Sequence, residues 1–485
     1  MKRFGTLSIL AIFLASVAVP AGAFTYFVYL RQSPVEKISF DQFTNSTSQH
    51  ATEVEPSIFA YGSTIVALVQ EGRFTTGGAS DISFATSTNS GNTWKYGSLP
   101  GITKLQGSGN KWDRVSDPAI TYDVKHGLWL ASTLPLVGET GQLPLVSSSS
   151  DGLNWNNPVE VGTNNGDFMD KNWIVCDDGA SSKYEGNCYV EFDDASQGDV
   201  VYMTTSSDGG KTWSAAFQPP GAGGLGGQPV VQPNGTVVVP YLPGGGAILA
   251  FTSTNGGKTW GESVQAAPEN DHEVAGSLRT SPLPSARVDD GGTVYVVWQD
   301  CSFRSGCTAN DIVMTTSTDG VHWTKVARIP IDPVSSTVDH FIPGIAIQSG
   351  TIGKSAHLGL AYYYYPQTNC TFSSCNLSLG YISSKDGGTS WGHPLELGSS
   401  AKLAWLASTD QGYMVGDYIS AVFAGADVHI AAARALKPGT KFDEFLVTNS
   451  QVLPDDSYRV TSRGELPVRG AHSDHPIKWY PPDDD

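Results

Sequence analysis

Asp117 and Asp417 are the residues of this chain best suited to general acid and base work. Cleavage of a glycosidic bond needs two carboxyl groups facing it, and both aspartates open an apolar, strand-like run. Tyr418 and His340 stand beside such acids and offer a base, while Arg279, Arg114 and Arg434 are the cations available to a substrate. Glu55, Asp170 with Lys171, and Asp339 also lie at strand openings. Trp173, Trp112, Tyr363, Tyr364, Trp405 and Tyr418 supply faces on which a sugar ring could stack. The catalytic set expected from these types is Asp117, Asp417, Tyr418 and Arg279. The expected contact set is Glu55, Asp170, Lys171, Trp173, Arg114, His340 and Arg434.

Such residues meet only if the elements that carry them converge. One octamer recurs six times, ending at Trp94, Trp155, Trp213, Trp260, Trp323 and Trp391, with spacings between 47 and 68 residues. Its turn acid or amide is Asn89, Asp151, Asp208, Asn255, Asp319 or Asp386, each followed closely by glycine. These groups bond nearby backbone N–H groups while glycine takes positive φ, so each copy reads as a β-hairpin and its carboxylates as structural. An alternating strand precedes each copy, as in Ile82-Ser83-Phe84-Ala85-Thr86, and two further strands lie upstream. With a weaker strand after the Trp, each unit is a four-stranded antiparallel blade, and the chain is an all-β β-propeller. Seven blades are expected over about residues 36–455, with six as the alternative. The seventh has no octamer; it opens at Gly416-Asp417-Tyr418-Ile419-Ser420 and closes with a strand from within Glu36 to Phe43.

The Ser-x-Asp-x-Gly-x-Thr-Trp octamer resembles the Asp box, or BNR repeat, of bacterial neuraminidases and the wider sialidase-like superfamily. That resemblance implies the propeller fold and action on, or recognition of, glycans. For true sialidases it also implies three arginines clamping a substrate carboxylate, an Asp acid/base, and a Tyr nucleophile activated by a Glu. The first of those arginines belongs to a Phe/Tyr-Arg-Ile-Pro motif before the first box. Here that position reads Val54-Glu55-Pro56-Ser57-Ile58, and Arg328-Ile329-Pro330 instead follows the fifth box. A mouth ringed by acids suits a neutral glycan or a cation better than sialic acid. The resemblance therefore leaves two expectations: a propeller acting on or recognising glycans, as an exoglycosidase if it is an enzyme, or a non-catalytic surface propeller binding a protein or polysaccharide. A polysaccharide lyase or neutral-sugar hydrolase is a third.

Composition fits this frame. Gly is 54, Pro 28 and charged residues 16%, a mixture rich in turns and strand formers. The formal charge of −18 repels phosphate backbones, so nucleic acid is not an expected partner. No cofactor is expected, although clustered axial oxygens would suit a structural Ca2+. Six cysteines fall in three close pairs, Cys176/Cys188, Cys301/Cys307 and Cys370/Cys375, which reads as loop-stapling disulfides of an oxidising compartment. Lys2 and Arg3 precede an uncharged run from Phe4 to Leu30, an export signal or uncleaved anchor. The expected division is signal or anchor over residues 1–31, propeller over 32–460, and a Pro- and Asp-rich tail over 461–485. The tail's His472, Asp474 and His475 have no further ligand set around them. An extracellular or cell-surface monomer follows, touching membrane only through its N-terminal segment.

Overall fold

Each octamer closes on its own backbone in the computed structural model, which describes residues 31–107, 109–163, 168–453 and 460–461. The Asp208 carboxylate accepts from the Thr212 N–H at 3.0 Å and the Thr212 hydroxyl at 2.6 Å, while the Ser206 hydroxyl donates to it at 2.9 Å. Asn89, Asp151, Asn255, Asp319 and Asp386 make the same return bond to a backbone N–H two to four residues on. In Asp151 these bonds, that from the Asn154 N–H foremost, pull the carboxyl down to about 2. Each turn is thereby closed by groups within its own loop.

The strands ahead of each turn pair antiparallel. Glu53–Tyr61 pairs with Thr64–Arg73, which pairs with Ala79–Ser87, and Lys95–Ser98 adds a short outer strand. The same order recurs through the chain, and the chain is an all-β propeller. The expected count of seven separate four-stranded blades is not supported. Counted as sheets of four or more strands, there are five blades. The physical reasons are local. A bridge between Ala79 and Val115 fuses the first two strand sets into one nine-stranded sheet. The Met169–Cys176 sheet has three strands, because the chain after Trp213 makes only two isolated bridges to it, Phe217 to Met203 and Gly223 to Val200.

Val35–Lys37, not a segment reaching Phe43, pairs antiparallel with Glu444–Asn449 and completes the last sheet. Beside it the first strand Glu53–Tyr61 packs against Ser420–Ala424, so the two ends of the chain close the ring. The three disulfides form as the cysteine spacing implies. The N-terminal segment and the tail after residue 461 lie outside the described residues, and among those described no helix is long and apolar enough to cross a membrane.

The antiparallel registers sort the molecule into two ends. Ser87, at the start of an octamer, pairs with Ile65 beside the first turn, whereas Glu53 and Asp81 both pair with Glu71 at the other end. The octamers therefore sit opposite the strand openings. Removing one turn carboxylate, as in Asp208→Ala, is expected to cost about 1–2 kcal/mol, since two backbone N–H groups lose an acceptor. Urea denaturation monitored by tryptophan fluorescence checks this; an unchanged midpoint would contradict it.

Candidate functional site at the strand openings

Four opening strands carry the same irregularity. The pairing register slips between Val54 and Ser57, between Ser116 and Ala119, between Asp170 and Asn172, and between Phe341 and Gly344. At each slip one non-glycine residue takes positive φ: Glu55 (57°), Asp117 (46°), Lys171 (23°) and Ile342 (49°). Such bulges re-aim a side chain, at roughly 1–3 kcal/mol each for the unfavourable backbone. Three of the four re-aimed side chains are charged, and they meet.

The Lys171 ammonium is the centre. It lies 3.2 Å from an Asp117 oxygen, 3.4 Å from Asp417 and 3.7 Å from Glu55. Asp417 comes from the loop before Ser420–Ala424, and Arg279 from the long segment between Val264–Pro268 and Ser285–Val288; their ion pair is 2.5 Å. Gly416 lets this loop come in, since a Cβ there would stand 2.6 Å from the Glu55 nitrogen. The Asp417 N–H donates to Glu55 at 3.2 Å, and Gln70 donates to the same carboxyl group. Glu55, Asp117, Lys171 and Asp417 are all buried, whereas the Arg279 side chain keeps 24% of its surface.

Charge balance governs this knot. Burial presses the Lys171 ammonium toward its neutral form, but Asp417, Asp117 and Glu55 overcome that and hold its pKa above the usual lysine value. Burial opposes ionisation of Asp417 too, yet Arg279 and Lys171 keep its carboxyl well below the ordinary range. Glu55 goes the other way: burial, then the neighbouring Asp117 charge, push it up to about 8. Burial likewise raises Asp170, with Asp117 adding to it. The Tyr418 hydroxyl donates to the Pro118 carbonyl at 3.1 Å, and burial drives its pKa far up. Its ring meets Trp173 edge-on at 5.2 Å and lies 4.6 Å from the Lys171 nitrogen.

Of the residues singled out from sequence, Glu55, Asp117, Asp170, Lys171, Trp173, Arg279, Asp417 and Tyr418 come together. Arg114, His340 and Arg434 do not join them. Arg114 donates to the Gly77 carbonyl and lies near Glu139. Arg434 bonds Ser399. His340 is buried beside Asp332, within a network in which Arg304 and Arg328 hold Asp311 and Asp332. Arg328 is on the outer strand of its sheet, as its sequence position implies. Tyr363, Tyr364 and Trp112 are core residues; Trp405 is half-buried.

Sequence reasoning missed the rim of this face. Phe168 precedes the strand Met169–Cys176, Phe303 lies in the loop closed by Cys301–Cys307, and Phe372 in the loop closed by Cys370–Cys375. All three are exposed. Phe372 stacks on Tyr413 at 4.8 Å and 18°, and the Arg279 N–H donates to the Tyr413 carbonyl. His272 on the same segment as Arg279 reaches Asp339 at 3.3 Å, and burial raises that carboxyl to about 6. The available signal was a phenylalanine inside each of two short cysteine loops.

Residues 188–402 match the family described as BNR repeat-like domain, a match that spans less than half of the chain. No curated protein sequence matches it. Similar solved structures include a protein of unknown function from Dyadobacter fermentans, at 14% identity, covering 69% of this chain and 93% of that one, with a TM-score of 0.42. The NanB sialidase of Streptococcus pneumoniae is 13% identical, over 85% of this chain and 69% of that one, with a TM-score of 0.41. An ulvan lyase is 12% identical, over 88% and 96%, with a TM-score of 0.47.

Two outcomes follow from the knot. Lys171→Met leaves the buried Glu55 and Asp117 without their closest cation and Asp417 with Arg279 alone, and is expected to cost about 3–5 kcal/mol in chemical denaturation. Glu55 and Glu53 are each raised to about 8, and Glu71 to about 7, all first by burial. Folded values above the unfolded 4.5 mean that the stability is full below that pH and is lost as pH rises toward 8. The melting temperature should therefore be higher at about pH 5.5 than at about pH 8.5. A flat or opposite profile would contradict the assignment.

Proposed function

We propose that this protein is an exported propeller that recognises a glycan on the face bearing the strand openings. The observation that carries the reading is the exposed stack of Phe372 on Tyr413 beside Arg279, whose guanidinium is anchored by Asp417. An aromatic face offers the flat apolar contact that a sugar ring needs, and a fixed guanidinium offers donors in a rigid fork. Lys171, Glu55 and Asp117 lie beneath as a buried, mutually neutralised base, so they hold Arg279 and Asp417 in place rather than meeting the ligand. Three disulfides support an oxidising, extracellular location.

A second reading, glycoside hydrolysis, is favoured by one feature. Glu55 is pushed up to about 8 while Asp417 is held low, and two carboxyl groups whose environments drive them apart are the signature of an acid and its ionised partner. Residues 32–485 applied to an array of neutral and anionic glycans decide the first reading. Binding weakened roughly tenfold or more by Phe372→Ala, with its melting temperature little changed, and by Arg279→Lys, which keeps a cation beside Asp417, is the expected result. Absence of binding to any glycan would reject it in favour of a protein partner. Turnover of a fluorogenic glycoside that disappears in Glu55→Gln would establish the hydrolytic reading instead.

A further inference from the structure

Glu191 and Asp193 lie outside the ion-pair knot, one residue apart on the strand Cys188–Asp194 and therefore on the same face of it. Both are fully buried, and none of their four carboxylate oxygens has a hydrogen-bond partner. Burial drives both carboxyls far above their ordinary values, with Lys171 the one nearby cation that works against it. Leaving buried carboxyl groups without any partner costs several kcal/mol, so four unpartnered oxygens side by side call for a ligand.

What faces Glu191 is bare backbone. The segment from Gly221 to Gly227 reads Gly-Ala-Gly-Gly-Leu-Gly-Gly, and it lacks the lysine of a phosphate loop. A Cβ at Gly227 would collide with the Glu191 carboxylate. Gly226 takes a φ of 67°, as the bulge residues Glu55 and Asp117 do on their own strands, but offers no side chain. In the first sheet Gln70, five residues past the start of its pairing with an octamer serine, reaches Glu55 and Ser116. Asp193 occupies the matching place, five residues past Cys188, which pairs with Ser206. Where Gln70 finds side-chain partners, the Asp193 carboxylate has none.

We infer that Glu191 and Asp193, with Gly227 against the Glu191 carboxylate, form a buried site for a hard divalent cation, Ca2+ in the first instance. The donors are all oxygen, with no imidazole or thiolate among them, which selects Ca2+ over zinc or copper. Side-chain-free glycines leave carbonyl oxygens and water free to complete a coordination shell of six to eight. Asp170 lies close enough to interact with the Asp193 carboxyl, which adds a third acidic group beside the pair. The bound ion would then tie the three-stranded sheet to the one that follows it in the chain.

The test uses the full exported protein. After dialysis against chelator, thermal melts are compared with and without millimolar CaCl2, and metal content is measured after gel filtration in Ca2+. The site predicts about one retained equivalent and a melting temperature raised by roughly 3 °C or more. Glu191→Gln with Asp193→Asn should abolish both while the chelator-treated protein still melts cooperatively. Gly227→Ala, which fills the cradle, should weaken retention. Ca2+ retention and a melting shift that survive in the double variant would place the ion elsewhere and overturn the inference. So would a wild-type protein that retains no Ca2+ and melts identically with and without it; its two carboxyls would then be held neutral by protonation alone.

Discussion

Everything at the functional end of this propeller depends on one ammonium group being able to sit among three carboxyl groups. Lys171 is buried, and so are Asp117, Glu55 and Asp417. Removing any of these charges from water alone would cost several kcal/mol, and the Coulomb attraction among them offsets that only when the geometry is tight. Tight geometry is what the bulges at Glu55, Asp117 and Lys171 provide, since each turns one side chain away from the pleat and toward the axis. Backbone strain at three points is thus the condition for the charge cluster, and the cluster in turn holds those backbones in place.

The consequences run outward from that cluster. Asp417 is held by Lys171 on one side and Arg279 on the other, so the loop before Ser420–Ala424 and the long segment after Val264–Pro268 are tied to the same point. Arg279 carries Tyr413 with it through a backbone bond, and Tyr413 carries Phe372. A partly exposed guanidinium and an aromatic stack led by the exposed Phe372 are in this way positioned by buried groups. The opposite end of the molecule is built on another principle. There the octamers close local turns with neutral or singly charged acceptors, and no charge has to be buried far from its own loop.

Much of the fold was legible along the chain because its determinants are local. An acceptor at Asp208 and a donor at Thr212 are four residues apart, and so are Asn89 and Thr93. Six such turns specify antiparallel hairpins wherever they occur, and cysteines five to twelve residues apart specify loops that can be stapled. The acids at strand openings could be nominated for the same reason, as polar residues at fixed offsets from a strand. The count of blades could not, because it turns on whether Ala79 pairs with Val115 and whether Phe217 extends into a strand, and no local pattern governs either.

The chain order of residue types was thus enough for an all-β propeller with stapled loops and a polar mouth. Which of those polar residues meet was settled by the closing of the ring. Asp117 and Asp417 are separated by 300 residues, and Glu55 and Asp417 by more, yet they share one ammonium. The same closure sent Arg114, His340 and Arg434, residues of equal promise by type, to other partners. It also left Glu191 buried against Gly227 and Asp193 without a partner, at the place where Gln70 of the first sheet finds two. Local hydrogen bonds act over a few residues and can be read from spacing. Ion pairing and burial act over a few ångströms between segments far apart in sequence, so only the assembled fold brings them about.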